Sequence, residues 1–437
     1  MRYRFFETKD AGATQESRAH TAKVAKIDAW WKAFAAKTPQ LGALFAQKAT
    51  WDLPAWMDKH LGAVDPRLMW EFGPAVKGKG HRLVVTPEHE ASLRPLVALL
   101  LARAPKIRGW ELYDARLAEP LPMLAPTLQA RVGLSAVPEM EVSIEPGEAG
   151  TLALVFHIAG AKGDDDEVAS ATAFVTTETL LGEAMLDGWI GEISVRPATP
   201  AKKGKATKTK GPPRFPLAKL ATKVAEAIAK YQRTLPAKPA RGIASGEHSL
   251  FYGEPAPQAD YAGHGDALTF VTSRPDVWQA AQGGPRFASA RFSRTGETFA
   301  YVKIDGSGDL SQMKFGDREE VEIALGKALA KAKAGGVFGG GTGLRYSYVG
   351  LALDDPKKGI AAARAALRAG KVPARTWILF FDATLREEWV GVYPETPAPP
   401  VDVALPKKKA ATKKPTEKAP AKKPATKKPA AKKRARK

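Results

Sequence analysis

GGVFGGGTGLRYSYVGLALDDPKKGIAAARAALRAGKVPARTWILFFDATLREEWVGV, residues 335 to 392, decides the fold class. Leu344 to Leu353 begins polar and aromatic and turns apolar on both faces, as a strand does when it passes from a sheet's rim into its covered middle. Asp355 and Pro356 then start a helix: Asp accepts the orphan N–H groups of the first turn, and proline is tolerated there because its missing donor has no helical partner. Ile360, Ala363 and Leu367 recur at helical spacing, Gly370 ends the helix, and WILFF (Trp377 to Phe381) is an apolar run of strand length. A βαβ unit on a buried sheet is expected.

The glycines ahead of it, Gly335, Gly336, Gly339, Gly340, Gly341 and Gly343, read as a turn. With Thr342, the run Gly339 to Gly343 is a candidate ligand-binding turn, because glycines bring backbone N–H groups close to a phosphate. Neither G-x-x-x-x-G-K-[ST] nor G-x-G-x-x-G occurs, however, and these glycines lead into a strand rather than a helix N-terminus. A helix C-cap after EEVEIALGKALAKAKA, followed by a turn or hairpin, explains the same residues.

Working outward, a similar plan recurs near the start. Arg82 to Thr86 reads as a strand, Leu93 to Leu101 as a helix with Ser92 as its N-cap, and Gly109 to Arg116 as a strand. Before it, residues 18 to 50 form amphipathic helices with Trp30, Trp31 and Phe34 on the buried face and Pro39 as a break. After it come strands at Glu139 to Ile144 and Thr151 to Ile158, a helix from Val168 to Leu186 and a strand from Trp189 to Val195. Beyond Phe215, strands are expected at Leu268 to Thr272, Arg286 to Phe292 and Thr298 to Ile304, the last two as a hairpin, with a final strand at Glu388 to Tyr393.

These elements give an α+β protein with two ferredoxin-like or related α/β sandwich domains, residues 1–197 with the N-terminal helices and 215–394. A basic linker, 198–214, joins them, and a disordered Pro/Lys-rich tail, 395–437, follows.

The formal net charge is +21, from 67 Lys+Arg against 46 Asp+Glu. Its location is more informative than its size. Lys407 to Lys437 carries a net +14 and Lys202 to Arg214 a net +6, which leaves +1 for everything else. There is no cysteine, so disulfides, thiolate metal sites and cysteine nucleophiles are excluded. No apolar run is long enough to span a membrane and the first residues lack a signal-peptide core, so a cytoplasmic protein is expected.

Chemical motifs are absent from the body. The histidines show no H-x-H or H-E-x-x-H spacing, and no G-x-S-x-G elbow occurs. His264 and Asp266 lie close together in a glycine-rich loop and form one further candidate pair. Asp164 to Glu167 reads as a loop whose acids favour the start of the next helix. Asp305 to Asp309 lacks the glycine and glutamate of a calcium loop. No cofactor and no metal are expected, and no catalytic residue is assigned.

After Pro394 the composition changes. The basic residues are Lys407, Lys408, Lys409, Lys413, Lys414, Lys418, Lys422, Lys423, Lys427, Lys428, Lys432, Lys433, Arg434, Arg436 and Lys437, with Glu417 as the one acid in that span. Lysine pairs begin at Lys422, Lys427 and Lys432 with Pro424 and Pro429 between, so neither a helix nor a core can form. This tail resembles the Lys/Ala/Pro-rich C-terminal tails of linker histones and of bacterial histone-like proteins, which implies non-specific nucleic-acid binding by these residues and a place at the nucleoid. The body resembles bacterial α+β domains without an assigned role. The expected function is a non-catalytic binding protein tethered to nucleic acid, with a possible protein partner. The alternatives are an enzyme or small-ligand-binding protein with its site in the second domain, and a protein–protein interaction or immunity-type module.

Overall fold

The computed structural model describes residues 15–198, 212–240, 248–282 and 286–401. Contacts group residues 1–400 into one compact unit and 401–437 into another, of which only Val401 is described. The fold is α+β, with three sheets among the described residues. No described helix is long and apolar enough to cross a membrane.

The first sheet joins β1 (Met69–Pro74), β2 (His81–Thr86) and β3 (Trp110–Tyr113). β1 is antiparallel to β2, and β2 is parallel to β3, which returns through α3 (Arg94–Ala102). The expected βαβ unit is therefore present here. Helices α1 (Gln15–Phe45) and α2 (Leu53–His60) cover it, and Trp30, Trp31 and Phe34 are buried in its core. Trp31 Nε1 donates to the Leu100 carbonyl at 2.7 Å, so the tryptophan pair is core. The helix runs straight through Pro39. A proline there deprives the Ala35 carbonyl of its usual N–H partner, and the Thr38 hydroxyl supplies the bond instead, at 2.9 Å.

The chain then passes through α4 (Leu124–Val132) into the second sheet, ordered β6-β5-β4-β7. β4 (Met140–Pro146) and β5 (Leu152–Ile158) form a hairpin, and β5 is buried along its whole length. Helices α5 (Glu167–Leu181) and α6 (Glu183–Trp189) carry the chain over to β6 (Ile190–Pro197), parallel to β5. β7 (Phe215–Pro216) pairs with β4, and α7 (Leu220–Gln232) closes the layer.

The third sheet has seven strands in the order β14-β13-β10-β12-β11-β9-β8. These are β8 (Ser249–Tyr252), β9 (Ala267–Thr272), β10 (Thr298–Asp305), β11 (Gly335–Gly343), β12 (Tyr346–Leu353), β13 (Thr376–Phe380) and β14 (Trp389–Gly391). One face packs against α9 (Arg318–Ala332) and α10 (Pro356–Ala369) through Val302, Leu325, Leu351, Ile360 and Leu367; the other, under α8 (Pro275–Gln282), is aromatic. Asp355 caps α10 as expected, accepting from Lys358 N at 3.1 Å.

Besides the unbroken helix at Pro39, further details differ from the sequence reading, among them Ser92, which lies in the turn before α3 and donates to Glu90 instead of capping the helix. β12 and β13 flank β10, antiparallel to both, so the unit is split rather than side by side. The glycine run is a strand, because β11 lies between β12 and β9 and α9 ends at Lys333, itself left-handed (φ 52°), rather than at Gly335. Residues 286–292 do not form a strand. Phe287 and Phe292 stack at 4.9 Å inside the core, and the buried Arg291 guanidinium is spent on the Ala149, Gly188 and Arg286 carbonyls.

Candidate functional site

Two crossovers deliver a charged knot to one place. β2 ends at Thr86, whose hydroxyl accepts from Glu88 N at 3.1 Å and donates to Glu183. Glu88 and His89 then both take left-handed backbone (φ 45° and 71°), a conformation that costs each L-residue roughly 1–2 kcal/mol and persists only where the surroundings enforce it. Opposite, α5 breaks into α6 at Gly182 (φ 78°), where a Cβ would lie 2.8 Å from the Ala118 nitrogen; only glycine turns here. That break carries Glu178, Glu183 and Asp187 to the carboxyl ends of β2 and β3.

The pairing is dense. His89 Nδ1 bonds to Asp187, and its Nε2 lies 3.4 Å from Glu178 Oε1. Arg94 Nη2 donates to Glu183 Oε1 at 2.8 Å and to Asp187, while its Nη1 donates to the Asp114 carbonyl at 2.8 Å. Arg116 donates to Glu178 at 3.1 Å and to Glu88 at 2.5 Å, and Arg131 also donates to Glu178. Hydrogen bonds to Asp187 and then Glu178 lift the His89 imidazole from 6.5 to about 9, against burial. Burial alone would raise the Glu178 carboxyl; the His89 and Arg131 hydrogen bonds and the arginine charges outweigh it and hold it at about 2.

His89, Glu183 and Asp187 offer ligand atoms within 4.8 Å of one another, a spacing a divalent ion could bridge. The donor set is already neutralised, however: Arg94 bridges the two carboxylates, and His89 is held charged against Asp187. A metal would have to displace a guanidinium. The arrangement is an ionic clamp.

The clamp forms one end of a cleft of about 940 Å³, within the usual size of small-ligand sites. Its walls are mainly apolar, with Pro95, Ala115, Phe174, Leu186, Phe287 and Leu385, while Arg286 and Lys357 add charge. The turn Ala91–Leu93 packs on Ala383–Leu385, so the late chain closes the cleft against the early one.

Of the residues singled out from sequence, Gly339, Gly340, Gly341, Thr342 and Gly343 lie on β11 and do not line this cleft. Their missing side chains are filled by neighbours: Thr272 against Gly339, Glu322 and Arg318 over Gly340, Phe270 against Gly341, Asp266 against Gly343. His264 and Asp266 are brought to the aromatic face of the third sheet. The fully buried Asp266 accepts from Tyr348 and from the backbone of Arg345 and Tyr346, and burial drives the His264 imidazole down to about 4, so it is neutral. Beside them Lys303, wholly buried, donates to the Tyr261 carbonyl and lies 3.9 Å over the Tyr346 ring. Asp166 caps α5 through Ala169 N at 3.1 Å, as its acidic loop led one to expect. Lys407 to Lys437 and residues 199–211 of the basic linker lie outside the described residues.

The clamp itself was not found from sequence. Its members are drawn from Thr86 to Asp187 and only Glu183 and Asp187, four apart on a helix, carry a local signal. The other available hint was acids inside the otherwise apolar stretch AFVTTETLLGEAMLD.

No family model matches the chain, and neither a curated protein nor a solved structure matches it.

Proposed function

We propose that the protein is a non-catalytic binding protein: residues 407–437 hold it non-specifically to nucleic acid, DNA or RNA, in the cytoplasm at the nucleoid, while the body offers its cleft to a second molecule. The observation that carries the tether is the separation of charge, 15 Lys+Arg against one acid in 31 residues beside a body close to neutral. Such a cation frees condensed counterions from phosphates and gains affinity without reading bases. No aromatic residue occurs in this span, so stacking on single strands contributes nothing.

The connectivity β10-α9-β11-β12-α10-β13, with strand order β13-β10-β12-β11, supports a ferredoxin-like module within the expected domain 215–394, at residues 298–380, whereas β7 and α7 share a core with β4, β5 and β6.

The test is binding of the full chain, and of a chain ending at Pro400, to random-sequence duplex DNA and RNA over a salt series. If about half of the 15 charges engage, the log–log slope for the full chain is about −6, at roughly −0.9 per contact. The shortened chain is expected to lose binding. Equal binding by both chains overturns the tether.

A second reading is favoured by the cleft: the body binds a small ligand there, with the tail incidental. Each carboxylate of the clamp is already paired with a cation, which favours holding a molecule over turning it over.

A further inference from the structure

β6 contributes four consecutive residues, Ile190, Gly191, Glu192 and Ile193, to the wall of the cleft. Successive residues of a strand face opposite sides of a sheet, so a face would contribute every second one. An unbroken run is a strand's edge. β6 is the last strand of its sheet, with β5 on one side only.

The hydrogen bonds show which groups that edge presents. Val195 N donates to Asp164 Oδ1 at 2.6 Å, away from β5. In a parallel pair the N–H and C=O of one residue point to the same side and those of the next residue to the other. Glu192 to Pro197 pair with β5 in uninterrupted register, so Ile193 turns both groups outward with Val195. Gly191, the bulged residue before them, has its carbonyl closed by Arg286 Nη1 at 2.9 Å. Between these two side-chain plugs, Ile193 keeps an unspent donor and acceptor among the described residues.

We propose that the cleft takes a short extended peptide, added as a strand to β6 through Ile193, with apolar side chains on the walls and a carboxylate at Arg286 or Lys357. This rests on the reading of the cleft as the body's binding site. The run from Gly191 to Val195 is about 13 Å at ~3.3 Å per residue, room for three or four residues of the partner, of which one exchanges both main-chain bonds with Ile193. Main-chain bonds supply affinity and the flanking walls select side chains, as in other strand additions. The Lys357 ammonium has no partner among the described residues and Arg286 spends one nitrogen, which leaves both side chains able to take a carboxylate.

The test uses the full chain and a panel of acetylated, amidated tetrapeptides that combine apolar residues with one Asp or Glu. Each is compared with a version N-methylated on its main chain, and with 8-anilinonaphthalene-1-sulfonate as a small apolar anion. Expected are saturable peptide binding, slowed hydrogen exchange at Ile193 N–H, and at least about tenfold weaker binding of the methylated peptide, the loss of about 1.4 kcal/mol. Ile193→Pro removes the outward donor, which an edge strand tolerates, together with side-chain packing on the core of the second sheet; compared with Ile193→Ala, which gives up the same packing and keeps the donor, it is expected to retain dye binding and to bind the peptide at least about tenfold more weakly. Dye binding without peptide binding, or equal binding of the methylated peptide, overturns strand addition and leaves the cleft reading standing. Absence of both overturns the cleft reading and this proposal together. An Ile193→Pro chain that binds the peptide as well as Ile193→Ala does likewise overturns it.

Discussion

At the scale of single residues, His89 is held charged by its neighbours and Glu178 is held charged by three cations, so the clamp has a pH window. A histidine whose folded value stands at about 9 against 6.5 contributes stability that is complete below 6.5 and is lost as pH rises through 9. Glu178, at about 2 against 4.5, contributes above 4.5 and loses its contribution as pH falls through 2. The clamp is therefore at full strength between about 4.5 and 6.5 and weakens on the alkaline side first. Urea midpoints measured from pH 6 to 10 are expected to fall through about pH 9 in the native chain and to lose that limb in His89→Gln. A histidine proton titration with its midpoint near the ordinary 6.5 would show instead that Asp187 and Glu178 do not hold the ring.

Among elements, the residues that set helix and strand identity are local, and these were legible: Asp355 and Pro356 start α10, its stripe Ile360, Ala363 and Leu367 faces the core, and WILFF is a strand. Neighbourhood was not legible. β10 inserts between β12 and β13 from earlier in the chain, and apolar content cannot distinguish a strand paired with its βαβ partner from one separated by an insertion, since both are covered on two faces. The glycines were misleading for a related reason. Glycine marks turns, but it also marks places where another backbone comes close, and β11 is squeezed between two strands while α9 crosses it. Gly341→Val would push a side chain into the Thr269 carbonyl and the Phe270 ring. A cost of about 1–3 kcal/mol is expected for such overpacking, visible as a lower urea midpoint. An unchanged midpoint would mean that β9 and β11 separate freely, contrary to their pairing.

For the whole molecule, the clamp joins parts that the sequence keeps apart, the turns after β2 and β3 and helices α5 and α6, and the segments at 286 and 383 complete the cleft beside it. Apart from the spacing of Glu183 and Asp187, no local pattern announces such convergence, because each remaining acid or arginine is ordinary in its own segment and only the crossovers bring them together. The consequence is that these contacts should be energetically coupled. Arg94 bridges two of the clamp's carboxylates, Glu183 and Asp187, and also reaches the Asp114 carbonyl. Glu183 is fully buried, so Arg94→Met leaves a desolvated carboxylate short of its cation, although Thr86 and Arg116 N still donate to it. Breaking a buried pair from one side costs about 3–5 kcal/mol, most of it the penalty of the charge left behind. Adding Glu183→Gln removes that charge, so the double variant is expected to be less destabilised than the sum of the single ones by roughly 0.5–3 kcal/mol. Urea denaturation of the four chains measures this directly. Strict additivity would mean that Arg94 and Glu183 do not act on one another, and that the cleft end is held by packing rather than by charge.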